Sequence, residues 1–488
     1  MSSDLKKKTV SGLLWSFVEV FGRQGIRFIT SIILARLLLP SEFGLIGMIN
    51  IFIALAYIFL DSGFGLALIQ KKNADKTDYS TVFYFNLGIS LLIYIILFFS
   101  APLVAGFYNK EILINIIRLF SLSLIINSFS LIQNTILTKR MDFKIIAKIN
   151  ILSAIAAGTV GILLAYKGFG VWSLVIQTIS LSAFRTILLW ILYDWRPTLV
   201  FSFTAFKNLF NFGGKVLSLN ILNIVYENAN HIIIGKLFSA SDLGFYTRAK
   251  SLQNFSVNSI YKVIQKVSFP AFSELQNDKI KLLKAFSKSV QMIAFVIFPI
   301  MILLMIIAKP FVLVLLTAKW APSIIYIQIL CVNGMIMPLS SIIGNIMYAK
   351  GFPGLVIKLT IINYILTAAG IIIGLYWGIT GLVVSIVIVR LIMFIINYIY
   401  LQKVLIYKVK LLLNDLIPYL LVSLIIGFLT YFSGKLLGDE YLIRMIVQIV
   451  FGIATYLFIS KMFKLPAFVE MQKIFNNTIK SKITRKKL

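Results

Sequence analysis

Apolar stretches of about twenty residues recur along the whole chain, separated by short polar turns, and a bilayer core about 30 Å thick needs ~20 such residues per helix. The pattern predicts an all-α polytopic membrane protein of about 14 spans, at 12–36, 43–69, 80–105, 112–137, 146–166, 171–193, 210–236, 243–268, 288–315, 324–348, 355–376, 379–401, 416–433 and 441–463. Polar residues or glycines interrupt spans one, five, seven and eight. The first follows Lys6, Lys7 and Lys8 in the manner of a signal peptide, but its apolar run is too long and no small-residue cleavage site follows, so it reads as a retained span.

The turns alternate in charge. One set carries Lys71, Lys72 and Lys76; Lys139, Arg140, Lys144 and Lys148; Arg196 and Lys207; Lys279, Lys281, Lys284 and Lys288; Lys350 and Lys358; Lys403, Lys408 and Lys410; and the end of the chain adds Lys480, Lys482, Arg485, Lys486 and Lys487. The opposite set holds about one basic residue each: Arg36, Lys110, Lys167, Lys236, Lys319 and Lys435. Basic residues collect on the cytoplasmic side, which predicts a multi-pass protein of the cytoplasmic membrane with both termini inside. Trp172, Trp195, Trp320 and Trp377 fall near predicted span ends, where an indole prefers to sit. The external turns are about ten residues or fewer and leave no room for an external domain.

Composition agrees. Of 488 residues, 59% are hydrophobic and 13% charged, against about 45–50% and about 25% in soluble domains. In a soluble protein a net charge of +30 would suggest a nucleic-acid partner; here the basic turns and the anionic lipid surface account for it. A single cysteine, Cys331, excludes an internal disulfide and a Cys-based metal cluster. No catalytic triad, phosphate-cradling glycine loop or metal-ligand spacing is visible, so neither an enzyme nor a cofactor or metal is expected.

The halves repeat. Ile33-Leu34-Ala35-Arg36-Leu37-Leu38-Leu39-Pro40-Ser41-Glu42-Phe43-Gly44 aligns without a gap on Ile233-Ile234-Gly235-Lys236-Leu237-Phe238-Ser239-Ala240-Ser241-Asp242-Leu243-Gly244. Each copy lies in the external turn between the first two spans of a six-span set. Serine, acid and base there suit local helix capping and helix dipoles. Six spans is an even number, so the copies share one orientation and form parallel-repeat lobes. Such a pair commonly holds a transporter site between its halves. The expected division is an N-lobe at 1–200, a C-lobe at 201–405, and two C-terminal helices with a basic tail at 406–488.

Ionisable side chains inside spans are costly and need partners, water or a function. Glu19, Arg23 and Arg27 recur every fourth residue and share one helical face. One acid cannot neutralise two arginines. Span seven carries Lys215, Glu227, Asn228, Asn230 and His231, and span eight carries Arg248, Lys250, Asn254 and Asn258. Spans one, seven and eight are therefore expected to line a wet cavity. Glu19–Arg23 and Glu227–His231 also fit simple helix-locking pairs. The surplus of guanidinium groups fits phosphate oxygens, as a lipid diphosphate in transit would require. His231, the single histidine, could relay a proton with Glu227 or simply hydrogen-bond across helices. Asp61, Arg118, Arg185 and Arg390 are weaker candidates. Gly370, Gly374 and Gly378 read as close helix packing.

Ala35 to Gly44 resembles the stretch near the start of Wzx-type polysaccharide flippases of the multidrug/oligosaccharidyl-lipid/polysaccharide exporter superfamily. Phe269-Pro270-Ala271-Phe272-Ser273-Glu274-Leu275-Gln276-Asn277-Asp278, with Lys309-Pro310 and Lys319-Trp320-Ala321-Pro322, is similar to its colanic-acid-exporter-like branch. The similarity spans roughly residues 5–400. It implies two six-helix lobes around a V-shaped cavity lined by spans one, two, seven and eight, working by alternating access. The implied cargo is an undecaprenyl-diphosphate-linked oligosaccharide, with membrane lipids and a polysaccharide polymerase as partners. The two extra C-terminal helices depart from a family often described with twelve. Candidate substrate-binding residues are Glu19, Arg23, Arg27, Lys215, Glu227, His231, Arg248 and Lys250. A cation-coupled multidrug exporter of the same superfamily would need acidic cavity residues. A membrane glycosyltransferase or polymerase would need a larger external loop.

Overall fold

The computed structural model describes residues 3–61, 63–438 and 440–473, and their side chains apart from those of 3–14, 61, 205, 208–222 and 258–267. Among the described residues the helices are α1 (Ser3–Leu37), α2 (Pro40–Asp61), α3 (Phe64–Gln70), α4 (Lys76–Tyr108), α5 (Ile112–Phe120), α6 (Leu122–Lys139), α7 (Phe143–Tyr166), α8 (Val171–Leu192), α9 (Phe203–Leu237), α10 (Ala240–Glu274), α11 (Lys279–Phe311), α12 (Ser323–Ala349), α13 (Pro353–Leu375), α14 (Gly378–Val404), α15 (Val409–Leu436) and α16 (Tyr441–Met462), with no strand. Lipid offers backbone groups no hydrogen bonds, and a helix satisfies them internally.

Eleven stretches among the described residues are long and apolar enough to cross a bilayer. The remaining long helices, α1, α9 and α10, have 35 residues each and carry the polar side chains singled out in spans one, seven and eight.

Several predicted spans change shape. Span two breaks between α2 and α3, where Gly63 takes the left-handed conformation (φ 70°) that a side chain would disfavour. Span four divides at Ser121, whose hydroxyl donates to the Ile117 carbonyl at 2.7 Å. Span nine begins earlier than expected: α11 starts at Lys279, so Lys281, Lys284 and Lys288 lie on a helix rather than in a turn. Asp278 caps it by accepting from the Lys281 N–H at 3.0 Å, which holds its carboxyl below the usual carboxylate value.

The chain divides into two compact units, residues 1–247 and 248–488. In the first, α7 packs between α1 and α8, α6 lies on α8 and α4, and α9 lies on α2 and α4. In the second, α11 packs on α12, α15 and α16, and α13 pairs with α14. Lipid is as apolar as leucine, so helices meet here through small residues and polar contacts rather than by escaping water. A β-carbon on Gly158 would lie 2.7 Å from the Thr30 hydroxyl, and one on Gly374 would lie 2.9 Å from the Gly381 carbonyl. Gly370 sits equally tightly against Val389. Gly378 does not belong with them: it lies at the α13–α14 turn with φ 66°, and a β-carbon on it would meet nothing within 4 Å. Outward faces remain apolar, as in Ile361 and Ile365 of α13, Ile395 of α14 and Phe428 of α15. Cys331 is buried in α12. Trp320, expected at an interface, is fully buried.

The repeated turn keeps its capping role with altered parts. Glu42 accepts from the Leu39 N–H at 2.7 Å, and Asp242 accepts from the Ser239 N–H at 3.2 Å. The capping hydroxyl of the second copy is that of Ser239, which accepts from the Asp242 N–H at 3.1 Å. Lys236 donates to the Phe107 carbonyl near the end of α4.

Candidate functional site

The four-residue spacing of Glu19, Arg23 and Arg27 places them along one stripe of α1. Arg23 Nε lies 3.1 Å from Glu19 Oε1. That same oxygen accepts from Asn150 Nδ2 of α7 at 3.0 Å. Glu19 is thus spent on Arg23 and Asn150. Arg27 is exposed and, among the described residues, makes no ion pair or hydrogen bond. Across the bundle, Arg185 of α8 donates to Asn134 Oδ1 of α6 at 3.0 Å. Arg185 lies near enough for its charge to act on Arg27, as does Arg23, and among the described residues Glu19 is the carboxylate acting on both Arg27 and Arg185. Among the described residues, three guanidinium groups therefore share one acid.

A neutral network supports this cluster. Asn127 of α6 donates to the Tyr57 hydroxyl of α2 at 2.9 Å and to the Ser182 hydroxyl of α8 at 2.8 Å, and Tyr57 also meets the Ser123 hydroxyl at 3.2 Å. Hydrogen bonds between neighbouring helices fix the rotation of α6 and α8, and so the position of Arg185.

The other sequence candidates are placed differently. The side chain of Lys215 lies outside the described residues. Glu227 is exposed on α9, whereas His231 is only 6% exposed and packs edge-on to Tyr246 at 5.2 Å. Arg248 and Lys250 belong to the second unit; Arg248 is 6% exposed, its guanidinium 5.5 Å from the Trp320 ring. Among the weaker candidates, Arg118 stacks on Phe98 at 4.2 Å and donates to its carbonyl. Arg390 donates to Asn333 Oδ1 at 3.1 Å. The side chain of Asp61 lies outside the described residues. Arg185 gains most from the fold, and Asn134 and Asn150 had drawn no attention in sequence. Asn134 had one available signal, the amides Asn127, Gln133 and Asn134 gathered on α6; Asn150 is the lone amide of α7 and had none. Among the described residues no group of acids, histidines or cysteines could hold a metal ion.

Known proteins resemble this chain in sequence and in fold. The chain is 25% identical over 397 residues to the lipopolysaccharide biosynthesis protein WzxC of Escherichia coli (strain K12), covering 81% of each. It is 26% identical over 349 residues to the teichuronic acid biosynthesis protein TuaB of Bacillus subtilis (strain 168), covering 71% of this chain and 72% of that protein. Its fold is similar to that of the lipid II flippase MurJ in an inward closed conformation, with TM-score 0.74, 16% identity and coverage of 92% and 98%. An inward-facing multidrug transporter of the MATE family is also similar, with TM-score 0.61, 16% identity and coverage of 80% and 98%. The model of the polysaccharide biosynthesis protein family matches residues 33–325, more than half of the chain, and the protein belongs to that family.

Proposed function

We propose that the protein is a flippase that carries a diphosphate-linked oligosaccharide on a polyprenyl lipid from the cytoplasmic to the outer leaflet. The observation that carries this reading is the guanidinium surplus of Arg23, Arg27 and Arg185 over Glu19. Diphosphate oxygens accept bidentate bonds from guanidinium forks, which offsets the cost of moving the headgroup out of water. Lys215, Glu227, His231, Arg248 and Lys250 are the further substrate-binding residues of this reading, all in the second repeat. The working division is an N-lobe at 1–200, a C-lobe at 201–405, and an appendage at 406–488, with alternating access between the lobes. Relatives in polysaccharide and teichuronic acid biosynthesis and the fold shared with a lipid II flippase support the cargo class.

With both termini in the cytoplasm, the cargo's negative charge moves outward down the usual membrane potential. That gains ~2.3 kcal/mol per charge per 100 mV, so the step needs no coupled ion. A cation-coupled drug exporter shares the fold, but its organic cations would be repelled by this cluster. A polysaccharide polymerase on the outer side is the partner that would consume the product.

The test compares lipid extracts of cells with and without the protein. A lipid-linked glycan that accumulates facing the cytoplasm is the expected result, and Arg27→Ala should reproduce it at normal protein level. Unchanged glycan lipids together with altered drug sensitivity would overturn the reading.

A further inference from the structure

The turns that follow α3, α6 and α8 are distant in sequence but meet around one cavity of about 630 Å³. Lys76, Lys139 and Arg140 line it together with Tyr79, Tyr193 and Trp195. These are basic turns of the side read as cytoplasmic. Lys139 is pinned by the carbonyls of Leu68 at 2.9 Å and Lys71 at 2.5 Å. Its ammonium lies 5.9 Å from the Tyr79 ring, and the Arg140 guanidinium lies 5.8 Å from the Tyr193 ring. Tyr79 meets Trp195 edge-on at 6.4 Å. Asp75 and Asp194 also reach the cavity, but Asp75 is engaged as the cap of α4, accepting from the Asp78 N–H at 2.8 Å. The cations of the lining, Lys72 included, outnumber its carboxylates. The Trp195 indole N–H is buried and has no acceptor among the described residues.

Cations beside aromatic faces bind two chemistries at once. Lysine and arginine take phosphate oxygens, while tyrosine and tryptophan rings take the apolar face of a sugar. The volume falls within the roughly 300–1,000 Å³ of small-molecule sites. A phospholipid headgroup would use the cations and leave the aromatic wall unused. We propose that this cavity is a second recognition site for a glycosyl diphosphate, which holds the headgroup of the lipid-linked glycan before it enters the helix bundle. The proposal rests on the flippase reading and adds to it a loading step.

The test uses the full chain in phosphatidylcholine nanodiscs, with Arg23→Ala and Arg27→Ala removing two of the bundle cluster's three guanidinium groups, titrated with geranyl-diphosphate-linked hexose. Saturable binding should remain, should weaken at least tenfold on adding Arg140→Gln and Trp195→Leu, and should recover with Arg140→Lys and Trp195→Phe. Inorganic pyrophosphate should compete, and phosphatidylglycerol in the nanodisc should not. Loss of all binding in the Arg23→Ala/Arg27→Ala protein overturns the proposal, as does indifference to the Arg140 and Trp195 changes. Displacement by phosphatidylglycerol also overturns it, because the cavity would then be a phospholipid headgroup site. None of these results touches the lipid-extract comparison, so the flippase reading stands or falls separately.

Discussion

Gly44 of α2 lies against the main chain of Ala240, so closely that a β-carbon on it would come within 1.7 Å of the Ala240 carbonyl oxygen. Gly244 of α10 does the same to Pro40, at 1.9 Å. The contacts are reciprocal: each glycine of the repeat meets, in the other copy, the residue that begins the same helix. No side-chain movement can relieve such an overlap, because the obstacle is backbone on both sides.

It follows that Gly44→Ala or Gly244→Ala should each force the two repeated turns apart. Single variants should reach the membrane at normal level and lose glycan export at least tenfold. The double variant should be no worse than either single, since both remove one shared contact. Export assays against membrane protein level check this; additive losses would show two independent defects.

Glu19 bridges Arg23 and Asn150 through one oxygen. Glu19→Gln deletes the cluster's single acid and leaves its arginines less neutralised. Affinity for inorganic pyrophosphate should rise several-fold while export slows, because release is penalised. Arg27→Ala should have the opposite effect on affinity, weakening it by roughly ten- to a hundredfold, since a hydrogen bond to a charged group is worth about 1.5–3 kcal/mol. Calorimetric titration of nanodisc-bound protein that also carries Arg140→Gln and Trp195→Leu, which silence the second cavity, measures both.

The long apolar helices were legible because lipid imposes a minimum apolar length that few other structures require, and eleven such stretches stand among the described residues. The stripe of Glu19, Arg23 and Arg27 was legible because helical spacing alone decides which side chains share a face. The breaks at Gly63 and Ser121 were not, since a kink inside an apolar run leaves the run intact. Arg185 was undervalued because its partner Asn134 lies on another helix, and only the packing of α6 on α8 joins them. The repeated turn was visible as a repeat and as a capping motif. That its two copies touch depends on distance between segments 200 positions apart, about which matching residues say nothing.

The appended helix α15 is fastened to α11 by one carboxylate. Asp415, 5% exposed, accepts from Gln291 Nε2 at 2.6 Å and from the Ser287 hydroxyl, both on α11. Asp415→Ala would leave these half-buried donors without their acceptor, at a cost of up to about 1–3 kcal/mol each. Thermal unfolding in detergent should show a lower midpoint for Asp415→Ala than for Asp415→Asn, whose amide oxygen still accepts. Equal midpoints would mean that α15 is held by apolar packing alone.

Tyr407, in the turn before α15, donates its hydroxyl to Asp415 at 2.5 Å, and its own carbonyl accepts from Tyr398 at 2.6 Å. Burial and the neighbouring carboxylate push the Tyr407 phenol above its ordinary value of 10.0. The folded protein therefore holds this proton more tightly than the unfolded chain does. By linkage, its contribution to stability is complete below pH ~10 and is lost as pH rises from there toward the folded value. Tyr407→Phe should lower the unfolding midpoint at pH 7 through the lost hydrogen bond, and should also flatten the decline of stability above pH ~10. A variant whose alkaline decline parallels that of the parent protein would place the titrating group elsewhere. The same measurement on Ser287→Ala, which keeps the phenol, should retain the steep alkaline decline and so separate the proton of Tyr407 from the general loosening of α15.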